Sequence, residues 1–211
     1  MIDPSNISLS NFVATWHGPA TRDPDPAPPS TEWLPQALHE WHYLASQRNS
    51  PLTFTTSMIS PQEIRAGVDG KATFMVDATA DWSWSFDIHN PDAVYEAERH
   101  EAWALNPEQL AQFLVHNATR EAIYAAPARL SAYFLPDRAL AEVLEPLEEV
   151  AFGRWNWPAP GYRIFMADDM LVEIVHTRGG SAWDIEVATL KTETLSRLRT
   201  IPDADWRTPG A

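Results

Sequence analysis

Hydrophobic and polar positions alternate with two periods along this chain, and the period changes mark its elements. Leu9, Phe12, Val13 and Trp16 recur at helical spacing behind Ser8 and Ser10, either of which can cap, so a short helix is predicted over residues 8–16. Leu34, Leu38, Trp41 and Ala45 repeat the pattern after Ser30 and Thr31. Pro35 falls at a first-turn position where its missing N–H costs little, which predicts a helix over 35–48. Between these helices, residues 19–35 are rich in Pro, Asp and Ser and read as an extended strap.

The period then shortens to two. Residues 73–76 form a short apolar run bounded by Gly70 and a turn at 77–81, the pattern of a buried strand. Trp82, Trp84 and Phe86 alternate with Ser83, Ser85 and Asp87, which places three aromatics on one sheet face, taken as the core face. Asn106 before Pro107 and Glu108 resembles a helix start, with Leu110, Phe113, Leu114, Ala118 and Ala122 carrying the stripe towards Tyr124. Residues 128–150 read as helix in pieces, broken by Pro136 and Pro146. Residues 162–166 and 171–176 flank Ala167, Asp168 and Asp169 as a β-hairpin. A further strand with Trp183, Ile185 and Val187 follows, then a helix over 192–198. The expected class is α+β: helices on a curved, mainly antiparallel sheet, with a C-terminal extension containing a β-hairpin. The expected division is 1–29 (helix and strap), 30–126 (core) and 127–211 (α/β extension packed on the core as one unit).

Composition narrows the function classes. The chain has 211 residues, 45% apolar and 21% charged, and it includes ten tryptophans, so a few large anchors are expected in the core. It contains no cysteine, which removes disulfides, thiolate nucleophiles and cysteine-based zinc sites. Asp3 stands where a signal peptide carries basic residues and no long apolar run follows, so a cytoplasmic location and no membrane association are expected. A net charge of −14 repels phosphate backbones and anionic lipid, disfavours nucleic acid as a partner and favours a basic protein.

Chemistry-bearing motifs are few. His39 and His42 within His-Glu-Trp-His are three apart rather than the four of a zincin and have no evident third ligand. They read as polar histidines on a helix surface, and no metal or other cofactor is expected. Asp168 with Asp169, and Glu148 with Glu149, are adjacent in sequence and so point different ways, which suits a turn and a solvated face rather than an acid–base pair. Gly179-Gly180-Ser181 lacks the frame of a nucleophile elbow, and no phosphate loop is present. No catalytic residue is assigned, and an enzyme would need a site built from distant residues. The acids are unevenly spread: residues 69–101 hold eight of them (Asp69, Asp77, Asp81, Asp87, Asp92, Glu96, Glu98, Glu101) against Lys71 and Arg99, a local net charge of −6. Strand alternation is expected to turn these carboxylates outwards, so Asp69, Asp77, Asp81, Asp87, Asp92, Glu96 and Glu98 are the expected partner-binding residues.

The order of landmarks resembles the SUKH superfamily, the Smi/Knr-type regulators and their bacterial relatives. Residues 33–43 (Trp-Leu-Pro-Gln-Ala-Leu-His-Glu-Trp-His-Tyr) are similar to the leucine-proline and aromatic-bearing first helix of that family. Residues 59–64 are similar to its segment before the sheet, 73–76 and 82–86 to its central strands, and 107–124 to its closing helix. Where relatives carry a Glu-Asn-Gln turn, this chain reads Asp77-Ala78-Thr79, so no polar binding residue transfers from that turn. The resemblance implies an α+β immunity protein without catalytic residues that neutralises a polymorphic toxin, a nuclease or deaminase, by direct binding. A regulatory scaffold in a larger complex is the alternative expectation.

Overall fold

The computed structural model describes residues 1–26 and 28–208; Ala27, which belongs to the expected strap, and residues 209–211 lie outside the described residues. The protein is α+β, with two five-stranded antiparallel sheets in two compact units, residues 7–121 and residues 1–6 with 122–211.

The N-terminal unit opens with helix α1 (Leu9–Trp16). Ser8 caps it, its Oγ accepting from the backbone N–H of Asn11 at 3.3 Å, and Leu9, Phe12 and Val13 are buried. Helix α2 (Gln36–Ser46) follows Pro35 and buries Leu38, Trp41 and Leu44. The intervening strap is tied to the end of α2, where the backbone N–H groups of Thr21 and Arg22 both donate to the Gln47 carbonyl. The sheet runs β1 (Thr56–Met58), β2 (Lys71–Asp77), β3 (Trp82–Asp87), β4 (Asn90–Glu98) and β5 (Ala104–Gln109), each strand beside its sequence neighbour.

On its core face Phe74 and Trp84 meet Phe113 of helix α3 (Leu110–Ala125), and Phe86 packs on Phe74. Phe113 lies edge-on to Phe74 at 5.6 Å between centroids and 6.2 Å from Trp84. Trp84 and Phe86 are buried as the alternation predicts, whereas Trp82 is partly exposed at the strand entrance. Ser85, on the opposite face, is also fully buried and shares a 2.9 Å hydroxyl hydrogen bond with Thr73, so polar side chains pair there instead of facing water.

The predicted helix start at Asn106 is corrected. Asn106, Pro107, Glu108 and Gln109 continue the edge strand β5, and the helix begins at Leu110. Pro107 is tolerated because an edge strand leaves one row of N–H positions unpaired. Asn106 acts inside the sheet rather than as a helix cap: its Nδ2 donates to Glu96 at 2.9 Å, and its Oδ1 accepts from the Glu108 backbone N–H at 3.0 Å.

The C-terminal unit contains β6 (Arg129–Leu135), helix α4 (Asp137–Leu144), β7 (Glu148–Glu149), β8 (Arg163–Ala167), β9 (Met170–His176), β10 (Trp183–Thr189) and helix α5 (Thr192–Leu198). Its strands are ordered β6-β10-β9-β8-β7. Residues 129–135, expected as helix, are strand. Leu130 and Ala132 pack on one sheet face with Val172, Ile174, Ile185 and Val187, beneath Ala139, Leu140 and Val143 of α4 and Leu198 of α5. The hairpin turns tightly at Asp168 and Asp169, with Ala167 paired to Met170, as the sequence suggests.

Candidate functional site

The sheet register decides the fate of the expected acidic surface, because β3 separates its two turns. The 77–81 turn lies at one end, with Trp82 paired to Glu98, and the 88–89 turn at the other, with Asp87 paired to Asn90. The five residue steps between them span about 17 Å, so the acids divide into two groups.

Two of the expected binding residues are inside the protein. Asp77 is 7% exposed: its Oδ1 accepts from the Trp82 backbone N–H at 2.9 Å and its Oδ2 from the Thr79 hydroxyl at 2.6 Å. Burial works to raise its pKa, and these hydrogen bonds outweigh it, leaving the carboxyl below its usual range. Glu96 is 2% exposed because β4 turns it to the core face opposite Trp84, where Asn106 meets it. Alternation alone assigned it outwards; the true phase follows from its pairing with Trp84. A third residue is already engaged, since Asp87 accepts from Lys71 Nζ at 2.7 Å and that ion pair lowers the carboxyl's pKa.

Asp69, Asp81, Asp92 and Glu98 are exposed. Asp81 faces Arg99 at 4.0 Å, while Asp69 accepts from the indole N–H of Trp103 at 3.1 Å and is bonded at its other oxygen by the Lys71 backbone N–H. Apolar side chains reach solvent in the loops next to Asp69 and on the edge strand: Val68 is fully exposed, Ile88 is 37% exposed, and Leu105 of β5 is 66% exposed. Ile88 is held beside Gly70 by its N–H, and Leu105 pairs across the sheet with Tyr95, whose ring lies 3.9 Å beneath Lys71 Nζ. The result is a mixed apolar and acidic surface that sequence reading missed, because an isolated Val, Ile or Leu in a turn or edge strand gives no periodic signal.

Helix α3 carries a buried polar array. Every residue from 113 to 123 is buried, including His116, Asn117, Arg120 and Glu121. His116 Nδ1 lies 3.1 Å from both carboxylate oxygens of Glu108. Glu121 receives the backbone N–H groups of Phe54, Thr55 and Thr56 and both threonine hydroxyls, the last at 2.8 Å and 2.7 Å. One carboxylate thus satisfies three successive amides entering β1, a structural role.

The two histidines of α2 border a cavity of about 820 Å³, together with Asp25, Tyr43, Met58 and Pro61. His42, expected on the helix surface, is half-buried: its Nε2 is buried with no hydrogen-bond partner among the described residues, and burial, followed by the charge of His39, pushes its pKa down to about 4. It is therefore a neutral imidazole at neutral pH. Among the described residues no group of three His, Asp or Glu side chains is placed to hold a metal ion.

A second cavity, of about 270 Å³, lies in the C-terminal unit between Tyr124, Tyr133, Tyr162, Glu173, Asp184 and Glu186. Glu173 and Glu186 face each other across β9 and β10, and Tyr124 donates its hydroxyl to Glu173 at 2.9 Å. Burial pushes the Glu186 carboxyl up to about 7, opposed by Arg129 and assisted by Glu173. A signal for this site was present in the sequence, since Glu173 interrupts the apolar run of β9.

No family model, no curated protein and no solved structure matches this chain. Among the described residues no helix is long and apolar enough to cross a membrane.

Proposed function

We propose that this chain is a cytoplasmic, non-catalytic binding protein that docks a basic protein domain. In the reading its SUKH-like sequence landmarks favour, it is an immunity protein that neutralises a nuclease or deaminase toxin. The observation that carries this reading is the exposure of Val68 and Ile88 in the loops beside Asp69 and Gly70, and of Leu105 on the edge strand two residues from Trp103, whose indole bonds Asp69. Apolar groups ringed by unlike polar charge are the usual make-up of a protein-docking surface: the apolar centre holds, and the charge steers and selects. The net charge of −14 adds long-range attraction for a domain whose cleft is basic because it handles nucleic acid.

The contact surface in this proposal is Asp69 and Asp92 with the three apolar residues. Asp77 and Glu96 take no part because they are buried, and Asp87 is held by Lys71. The test is capture of the partner from the producing cells on the immobilised chain, followed by assay of the captured domain with and without one equivalent of this protein. A basic domain whose toxicity and activity disappear at one equivalent is expected. A partner that is acidic, or one whose activity is unaffected, contradicts the proposal.

A further inference from the structure

The 270 Å³ cavity of the C-terminal unit has a chemistry unlike that of the docking surface, and it stands independently of it. Its walls are three phenol rings, Tyr124, Tyr133 and Tyr162, with Pro158 beside them, and its polar lining is carboxylate: Glu173, Asp184 and Glu186. Among the described residues no basic side chain lines it. Such a space lies just below the range of about 300–1,000 Å³ used by drug-sized ligands, so it suits a side-chain-sized group.

The carboxylates are not equivalent. Asp184 accepts from the Phe134 backbone N–H at 3.2 Å through Oδ1, and Tyr124 engages Glu173. Glu186 projects from the middle of β10, on the same side as its cross-strand neighbours Glu173 and Ser131. Aromatic faces and a carboxylate together select one kind of ligand: a delocalised or alkylated cation, which the ring quadrupoles and the anion both attract. The protein already makes this kind of contact at one of the three rings, where the Arg207 guanidinium lies 5.4 Å from the centroid of Tyr133.

We propose that this cavity is a binding site for an organic cation, a guanidinium or alkylammonium group, held between the tyrosine rings and paired with Glu186.

The charged and titratable groups around Glu186 are Arg129 on β6, Glu173 on β9, Asp184 on β10, the tyrosines of α3, β6 and the loop before β8, and Arg207, which pairs with Ser131 and stacks on Tyr133. Because the Glu186 carboxyl titrates near pH 7, cation binding draws off its proton. Affinity therefore rises as pH rises, by about tenfold between about pH 6 and about pH 8.

The probes are n-butylguanidinium, its neutral isostere n-butylurea, and the blocked peptide acetyl-Gly-Arg-Gly-amide, titrated into the full chain by calorimetry with tyrosine fluorescence. Butylguanidinium is expected to bind with the stated pH dependence and butylurea is not. Glu186→Gln is expected to weaken binding about tenfold. Tyr133→Leu, a partly exposed position that leaves the carboxylates in place, is expected to weaken it roughly threefold, and it decides the matter if the first variant fails to fold. Tighter binding of the peptide than of butylguanidinium assigns the cation to a partner's arginine, and the reverse assigns it to a free small cation. Equal binding of the urea and the guanidinium, binding by neither, or unchanged affinity in both variants overturns the proposal. None of these outcomes bears on the docking surface of the N-terminal unit, whose residues are untouched.

Discussion

Glu121 shows how much one buried carboxylate can organise. It is fully buried and accepts from the amides of Phe54, Thr55 and Thr56 at the entry to β1. Glu121→Gln keeps the shape but turns an NH₂ towards N–H donors, and it is expected to destabilise the protein by about 2–4 kcal/mol. Chemical denaturation reads this directly, and an unchanged midpoint would mean the amides find other acceptors.

Two half-buried histidines set a second residue-scale behaviour. His17 and His42 are held down to about 4 from 6.5, His17 by burial and then by the charge of Arg48. Their unfolded forms bind protons that the folded forms refuse, so the stability they allow above pH 6.5 is lost as pH falls towards 4. Glu186 has the opposite sign. Its folded pKa of about 7 exceeds the ordinary 4.5, so its contribution is favourable at low pH and lost as pH rises through that window. Melting temperatures between these limits should fall less on acidification in the His17→Gln, His42→Gln double variant than in the parent, and more in Glu186→Gln. Parallel curves for all three would contradict this assignment.

At the scale of elements, the strongly periodic segments were legible. α1, α2, β3, the β8–β9 hairpin, β10 and α5 lie where the spacing of apolar residues places them. What misled was local chemistry with two uses. Asn106-Pro107-Glu108 has the composition of a helix start, yet it serves an edge strand because Asn106 has a buried Glu96 to bond. β6 reads as helix because Ala128, Arg129, Leu130 and Ala132 are good helix formers, although the two-residue spacing of Leu130 and Ala132 is that of a strand. The central strand gives the element-scale prediction. Trp84→Ala should cost about 3–5 kcal/mol, since its indole lies against Phe113, while Trp82→Ala should cost clearly less because that ring is partly exposed. Equal losses would mean that both rings are core.

For the whole molecule, composition and charge spoke to class, and topology decided where the charge goes. The α+β class was legible, but the second five-stranded sheet was only half visible, as a hairpin and one strand. The acidic run between residues 69 and 101 looked like one surface in one dimension. Antiparallel pairing carries its members to opposite ends of the sheet and turns Glu96 inwards, and no property of a single strand reveals that. The exposed apolar surface near Asp69 emerges only after folding, from the 67–70 loop, the 88–89 turn and the β5 edge.

Whether a basic partner is steered by charge and held by this apolar surface is read by stopped-flow association and dissociation rates with the captured partner. The series runs from about 0.05 M to about 0.5 M salt, for the parent and for Leu105→Ser. The association rate is expected to fall at least about tenfold across the series for both proteins, and the dissociation rate to rise through the substitution alone. A salt-independent association rate, together with a Leu105→Ser variant that dissociates like the parent, would contradict both.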